Sequence, residues 1–365
     1  MRGRSGAPAL SAVRSILAVR LDLMGDLVFT LPALRALRGR APEARLTVLV
    51  LPYAADLLMG LPFVDRVVTV DVNRWRRPGG WIGGPGLRQL GRALREVREE
   101  RYDLCVSFYG RVGAAAALLS GARCLVGYEA EGFRFSFDVG LPGARYRQRR
   151  HEAEYCLDLV RALGASVDGC RPELEVDPVA AARVEGLLRD AGVGPKERLV
   201  ALHPGALNMA AKRWMPDRWA IVADRVQREL GRRVVLVGSD SELPLVESVR
   251  QGMSTPSLML AGKTSVAELV ALLARCELFM GGDSGPLHVA SALGVPSVSV
   301  YGPTDPGITG PLGDRARVLW ADVECAPCYD LRAAPECRRG DLLCMAKVSV
   351  DQVFRAVCEV AGGEL

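Results

Sequence analysis

Residues 276–306 read CELFMGGDSGPLHVASALGVPSVSVYGPTDP. Residues 278–280 are a short apolar run fit for a buried strand, and the run stops at Gly281-Gly282-Asp283-Ser284-Gly285. A helix opens at Pro286 and Leu287, with His288 in its first turn. A second apolar run, 298–301, closes on Gly302-Pro303-Thr304-Asp305-Pro306. Strand, helix and strand in so short a stretch predict two parallel neighbours joined by a crossover helix. Such units bind ligands beyond the carboxyl ends of their strands, where loop amides and a helix N-terminus can hold an anion.

Outward from this unit the same alternation recurs. Runs at 16–20, 46–51, 67–70 and 104–108 read as strands, with helical stretches at 27–38, 54–59 and 87–100. After a basic stretch at 145–150, a helix spans 152–163, and the polar, turn-rich segment 164–178 suits a linker. Strands then resume at 199–203, 234–237 and 258–260, with helices at 219–230, 244–251 and 266–274 between and after them. The pattern predicts an α/β protein of two Rossmann-like domains with parallel sheets, residues 1–170 and 171–348. A last helix, within 349–365, is expected to pack back onto the first domain. A ligand would then sit in the cleft between domains. The glycine-rich segment 74–86 follows no strand and does not fit G-x-G-x-x-G, so it is read as a loop and not as a dinucleotide site.

A chain of 365 residues suits two cores better than one. Its apolar and charged content is that of a globular protein. No run nears the ~18–20 apolar residues of a membrane span. The first residues lack a signal-peptide core and cleavage site, so a cytoplasmic location is expected. The net charge of +5 permits anionic ligands or a membrane surface. No aromatic-plus-basic motif points to nucleic acid. Six of the ten cysteines are scattered among apolar positions, whereas Cys325, Cys328, Cys337 and Cys344 cluster. Four thiolates suit a tetrahedral zinc ion, but the later spacings, eight and six residues, depart from a zinc ribbon. Redox-labile pairs and loop packing are the competing readings, and no metal is counted among the expected ligands.

Four constellations carry chemistry. In Arg20-Leu-Asp-Leu-Met-Gly-Asp26 a strand gives way to a helix, and Asp26 sits where an N-cap belongs. It either caps the helix or presents a general base, and the helix dipole that favours the first role weakens the second. His203-Pro-Gly205-Ala, followed by Lys212-Arg213-Trp214, offers a strand end and cations suited to a diphosphate, or a solvated basic loop. Gly238-Ser-Asp-Ser-Glu242 sets an acid where a ribose could be held, with capping by Ser239 or Ser241 as the alternative. Gly262-Lys-Thr264 is not a P-loop, since Ser257 stands where the first glycine must be. The imidazole of His288, at the helix start of the opening stretch, is placed to donate to an anion.

Together and in this order, these segments resemble glycosyltransferase family 9, the ADP-heptose:lipopolysaccharide heptosyltransferases. The resemblance rests on R-x-D-x-M-G-D-x-x-x-T-L-P from Arg20, A-K-R-W at Lys212, G-K-T-S at Thr264 and D-S-G-P-x-H…Y-G-P-T-D-P from Asp283. It implies a GT-B fold, two Rossmann-like domains facing across a cleft, and inverting transfer from a nucleotide-diphosphate sugar with no metal or other cofactor. It further implies that Asp26 is the catalytic base and that Lys212, Gly205, Asp283, Ser284, Gly285 and His288 bind the donor phosphates. Glu242 and Thr264 would line the nucleoside pocket, and His151, Arg149 and Arg150 would lie on the acceptor side. The implied partners are ADP-heptose and a lipid-linked or core-oligosaccharide acceptor at the inner membrane surface. Gly205 and Ala206 replace hydroxyl residues of certain type I enzymes, leaving those contacts to backbone amides or Asn208. That departure and the cysteine cluster point to the type II-like branch. A nucleotide-sugar epimerase or hydrolase of the same fold, or a non-catalytic nucleotide-sugar-binding protein, are the alternatives.

Overall fold

The computed structural model describes residues 8–72, 84–132, 136–143, 149–206, 209–329 and 336–362. Two compact units divide the chain, Met1–Glu173 and Leu174–Leu365. In the first, the order is β1 (Ser15–Arg20), α1 (Met24–Arg40), β2 (Arg45–Val50), β3 (Arg66–Thr69), α2 (Gly84–Glu99), β4 (Leu104–Ser107), α3 (Gly110–Ser120), β5 (Cys124–Tyr128), β6 (Val139–Leu141) and α4 (Glu152–Arg161). The six strands pair in parallel in the order β3-β2-β1-β4-β5-β6. Both β1 and β2 are buried along all but their first residue. That explains their unbroken apolar runs, because helices cover both faces of a parallel sheet.

The second unit runs α5 (Pro178–Asp190), β7 (Leu199–His203), α6 (Pro216–Leu230), β8 (Arg233–Leu236), α7 (Leu243–Gly252), β9 (Leu258–Met259), α8 (Val266–Arg275), β10 (Leu278–Gly282), α9 (Gly285–Ala292), β11 (Ser297–Tyr301), α10 (Pro306–Thr309), β12 (Ala316–Trp320), α11 (Leu343–Ala346) and α12 (Val350–Ala361). Its parallel sheet has the order β12-β11-β10-β7-β8-β9. Counted from its own first strand, this is the same 3-2-1-4-5-6 winding as in the first unit. Winding reverses between β1 and β4 in one unit and between β7 and β10 in the other. A doubly wound sheet opens its ligand crevice at that reversal.

Two expectations need correction. Asp26 is not the N-cap of α1. The helix begins at Met24 with Leu23 as N-cap, and Leu27 N already donates to Leu23 O at 3.1 Å. Asp26 therefore lies inside the first turn, where a carboxylate still meets the positive end of the helix. The last helix also departs from the reading. α12 packs on α6, β11 and β12, and Val353, Phe354 and Val357 are buried in the second unit's core. Its amphipathic stripe finds that core directly, and reciprocal bonds between Ser349 and Gln352 start the helix there.

Candidate functional site

The second unit's crevice is built where β7 and β10 end side by side, with Gly281 in register with His203. A side chain at Gly281 would put its Cβ 2.7 Å from His203 O, and one at Gly282 would put it 3.2 Å from Lys212 O. The two glycines thus let the chain pass closely enough to deliver Asp283 into the site. Lys212 Nζ donates to Asp283 Oδ2 at 2.7 Å, and His288 Nε2, from the first turn of α9, lies 3.7 Å from Asp283 Oδ1. Burial alone would raise the Asp283 pKa, but Lys212 and then His288 outweigh it and hold the carboxyl well below its usual range. An ammonium has three N–H donors, so a lysine paired with a carboxylate is chemically able to bind phosphate oxygens as well. Ser284 stands at the N-cap of α9 yet makes no side-chain cap. Its Oγ instead lies 3.1 Å from His203 Nδ1.

His203 links this cluster to Glu242, whose Oε2 is 3.3 Å from His203 Nε2. With a carboxylate on Nε2, a neutral His203 ring carries its proton there and accepts from the Ser284 hydroxyl at Nδ1. Ser239 N and Oγ also donate to Glu242 Oε2, at 2.9 and 2.8 Å. The capping reading of Ser239 is therefore realised together with the buried acid. Burial would raise Glu242, but the His203 and Ser239 bonds overturn it and bring the carboxyl down to about 2. Gly205 is part of the same contact, because a Cβ there would lie 2.0 Å from Glu242 Oε1. Thr264 follows Gly262, whose amide donates to Gly238 O at 2.9 Å, so the Thr264 turn abuts the Glu242 turn. Among the expected donor residues, the structure thus joins Lys212, Asp283, Ser284 and His288 in one cluster. Glu242 and Gly205 are tied to it through His203.

The first unit's crevice holds Asp26 against a buried arginine. Arg20, 1% exposed, donates from Nε to Asp22 Oδ1 at 2.7 Å and from Nη2 to Glu152 Oε1 at 3.0 Å. The same Nη2 is 3.2 Å from Asp26 Oδ1, and the guanidinium lies 5.7 Å from the centre of the Tyr109 ring, just past the end of β4. His151 sits next to this group as a helix cap. Its Nδ1 accepts from Ala153 N at 3.2 Å, and its ring meets Phe29 edge-on at 4.9 Å. Arg150 is engaged by α4, with Nη1 2.6 Å from Asp158 Oδ2 and Nη2 3.6 Å from Glu154 Oε2. Arg149 precedes it with a backbone φ of +48°. The rest of the basic run, 145–148, and Asn208 lie outside the described residues.

The four clustered cysteines are free thiols. Cys344 is pushed up to about 11 by burial first, with Cys328, Cys325 and Cys337 adding to the shift. Among the described residues, no group of three or more His, Cys, Asp or Glu is placed to hold a metal ion. Sequence reading placed Glu152 with His151 in an acceptor-side motif, but assigned no role of their own to Arg20 or His203. One signal was available for the last: the chain has only three histidines, and each stands at the start of a helix or the end of a strand in these crevices.

The model of glycosyltransferase family 9 (heptosyltransferase) matches residues 88–337. The chain belongs to glycosyltransferase family 9. It is a glycosyltransferase, as the motifs around Asp26, Lys212 and Asp283 led one to expect. Lipopolysaccharide heptosyltransferase 1 of Escherichia coli K12 is 28% identical over 324 residues, covering 85% of this chain and 94% of the relative. Lipopolysaccharide heptosyltransferase 2 of the same strain is 27% identical over 316 residues, covering 83% and 87%. The two types match about equally, so identity does not separate the branches. Among solved structures, the family 9 glycosyl transferase from Veillonella parvula superposes with a TM-score of 0.81 at 24% identity, covering 98% of this chain and 99% of that one. E. coli ADP-heptose lipopolysaccharide heptosyltransferase II gives 0.75 at 22%, covering 95% and 98%. The family 9 transferase thus has the GT-B fold class, two Rossmann-like units in one chain. Among its described residues no helix is long and apolar enough to cross a membrane.

Proposed function

We propose that this family 9 enzyme transfers heptose from ADP-heptose to a lipopolysaccharide-core acceptor, with inversion and without a metal. The observation that carries the reading is the Lys212–Asp283–His288 cluster at the start of α9, beside the strand reversal of the second sheet. A fixed ammonium and helix-start amides neutralise the charge that grows on a departing diphosphate, the role a metal fills elsewhere. The names of the curated relatives, lipopolysaccharide heptosyltransferases, support the sugar and the acceptor. In this reading Glu242 accepts from the ribose hydroxyls, with Thr264 beside it, and Gly205 keeps that side of the acid open.

Asp26 removes the proton from the acceptor hydroxyl as its oxygen attacks the anomeric carbon and the C–O bond to the diphosphate breaks. The proton ends on the Asp26 carboxylate, and the bonding pair leaves with ADP. General-base catalysis of this kind contributes ~10²- to 10⁴-fold. Arg149, Arg150 and His151 lie on the acceptor side, and the basic residues suit a phosphorylated or membrane-borne acceptor.

The test is a calorimetric panel of ADP, UDP and GDP and their sugars, with transfer measured in the presence of EDTA. ADP-heptose binding well ahead of the other sugars, with turnover undiminished by the chelator, is the expected result. A preference for UDP- or GDP-sugars would overturn the donor, and loss of turnover in EDTA would overturn the metal-free mechanism.

A further inference from the structure

The cysteine-bearing segment of the second unit remains without a function in the scheme above. It contacts the loop after β11, Trp214 and Lys212. Cys328 N and Tyr329 N both donate to Pro303 O, at 3.0 and 2.9 Å, which fixes the segment to the loop after β11. That loop is pinned from the other side, because Trp320 Nε1 donates to Gly302 O at 3.0 Å. Cys344 and Met345 fill the space a side chain at Gly302 would need: its Cβ would lie 2.8 Å from Met345 Cε and 3.1 Å from Cys344 Sγ. Further along, the carbonyls of Met345 and Val348 each accept from Trp214 Nε1 at 3.2 Å. Trp214 is fully buried and stands two residues after Lys212. Finally, the Tyr329 ring centre lies 4.9 Å from Lys212 Nζ.

We infer that Tyr329 is a positioning residue for Lys212, held in place where Cys328 and Tyr329 bond to the loop after β11. The geometry confines the ammonium between two partners of different kind, the Asp283 carboxylate and the face of an aromatic ring. A cation within about 6 Å of a ring centroid is attracted to its face. A flexible four-carbon side chain whose ammonium is already held in place loses less rotamer freedom when phosphate oxygens bind. The inference rests on the reading of Lys212 as a diphosphate ligand.

The experiment compares Tyr329→Phe, Tyr329→Leu, Lys212→Met and the double variant Lys212→Met/Tyr329→Leu, with ADP affinity by calorimetry and melting temperature beside it. Tyr329 is half-buried, so the single Tyr329 variants should fold as wild type does, and the melting temperatures check the Lys212→Met pair. Expected are an affinity loss of about tenfold for Tyr329→Leu, near-wild-type affinity for Tyr329→Phe, and little further loss when Tyr329→Leu is added to Lys212→Met. Wild-type ADP affinity in Tyr329→Leu would overturn the inference. So would a loss that Tyr329→Phe shares, or one that persists in full when Lys212 is already Met. If Lys212→Met itself leaves ADP binding unchanged, the diphosphate reading fails instead.

Discussion

Glu242 shows how one buried acid can be both structural and functional. Its Oε2 is saturated by His203 and Ser239, while Oε1 faces Gly205, where only a missing side chain leaves room. The carboxyl falls from an ordinary 4.5 to about 2. A group whose folded pKa is depressed stabilises the fold above its unfolded pKa, and that stability is lost as pH falls through the folded value. Denaturation measured between pH 6 and pH 2 should therefore show stability falling between about 4.5 and 2, with Glu242 contributing to the fall. Glu242→Gln should be less stable than wild type near neutrality and flatter across that window. An unchanged slope would remove Glu242 from the account of acid lability. Asp283 was legible in the sequence because D-S-G-P-x-H follows a strand. Its pairing with Lys212, 71 residues earlier, was not, since no local pattern encodes which cation a fold brings to an acid.

At the scale of elements, the close parallel approach of β7 and β10 sets the donor crevice. Gly281→Ala would drive a Cβ to 2.7 Å from the His203 carbonyl, a backbone atom that cannot turn aside. The expected cost is about 1–3 kcal/mol, with weakened ADP binding because His203 and Asp283 would shift together. Gly186→Ala is the control: this glycine lies within α5 with nothing within 4 Å of the added atom. Alanine there should stabilise the helix by about 0.5–1 kcal/mol and leave ADP affinity alone. Equal stability and affinity in Gly281→Ala and wild type would show that the strands are not tightly fixed. Most buried strands and amphipathic helices were readable from their runs and periods, although the fully buried β5 was not. Elements without such a signature were not. α3 is largely alanine, glycine and leucine with little amphipathic stripe, and β12 is only partly buried. α5 hid behind a polar linker, although Asp177 and Pro178 form a good start signal, with Asp177 accepting from Val179 N and Ala180 N.

At the scale of the molecule, the chain repeats one winding twice and gives the two crevices opposite chemistry. Around Asp26 the first unit gathers three carboxylates on one buried guanidinium, while the second sets Lys212 and His288 about Asp283. The sequence foretold two α/β units because strand and helix alternate through both halves. It misplaced α12, since an apolar stripe states that a helix will be buried but not against which core. The proposed division of labour, base on one unit and diphosphate grip on the other, predicts that chemistry and donor binding separate under mutation. Asp26→Asn keeps the shape of the side chain and removes its basicity. Steady-state transfer and ADP calorimetry on this one variant test the division most directly. A fall in kcat of ~10²- to 10⁴-fold with ADP affinity within twofold of wild type is the predicted result. Turnover near that of wild type would contradict it.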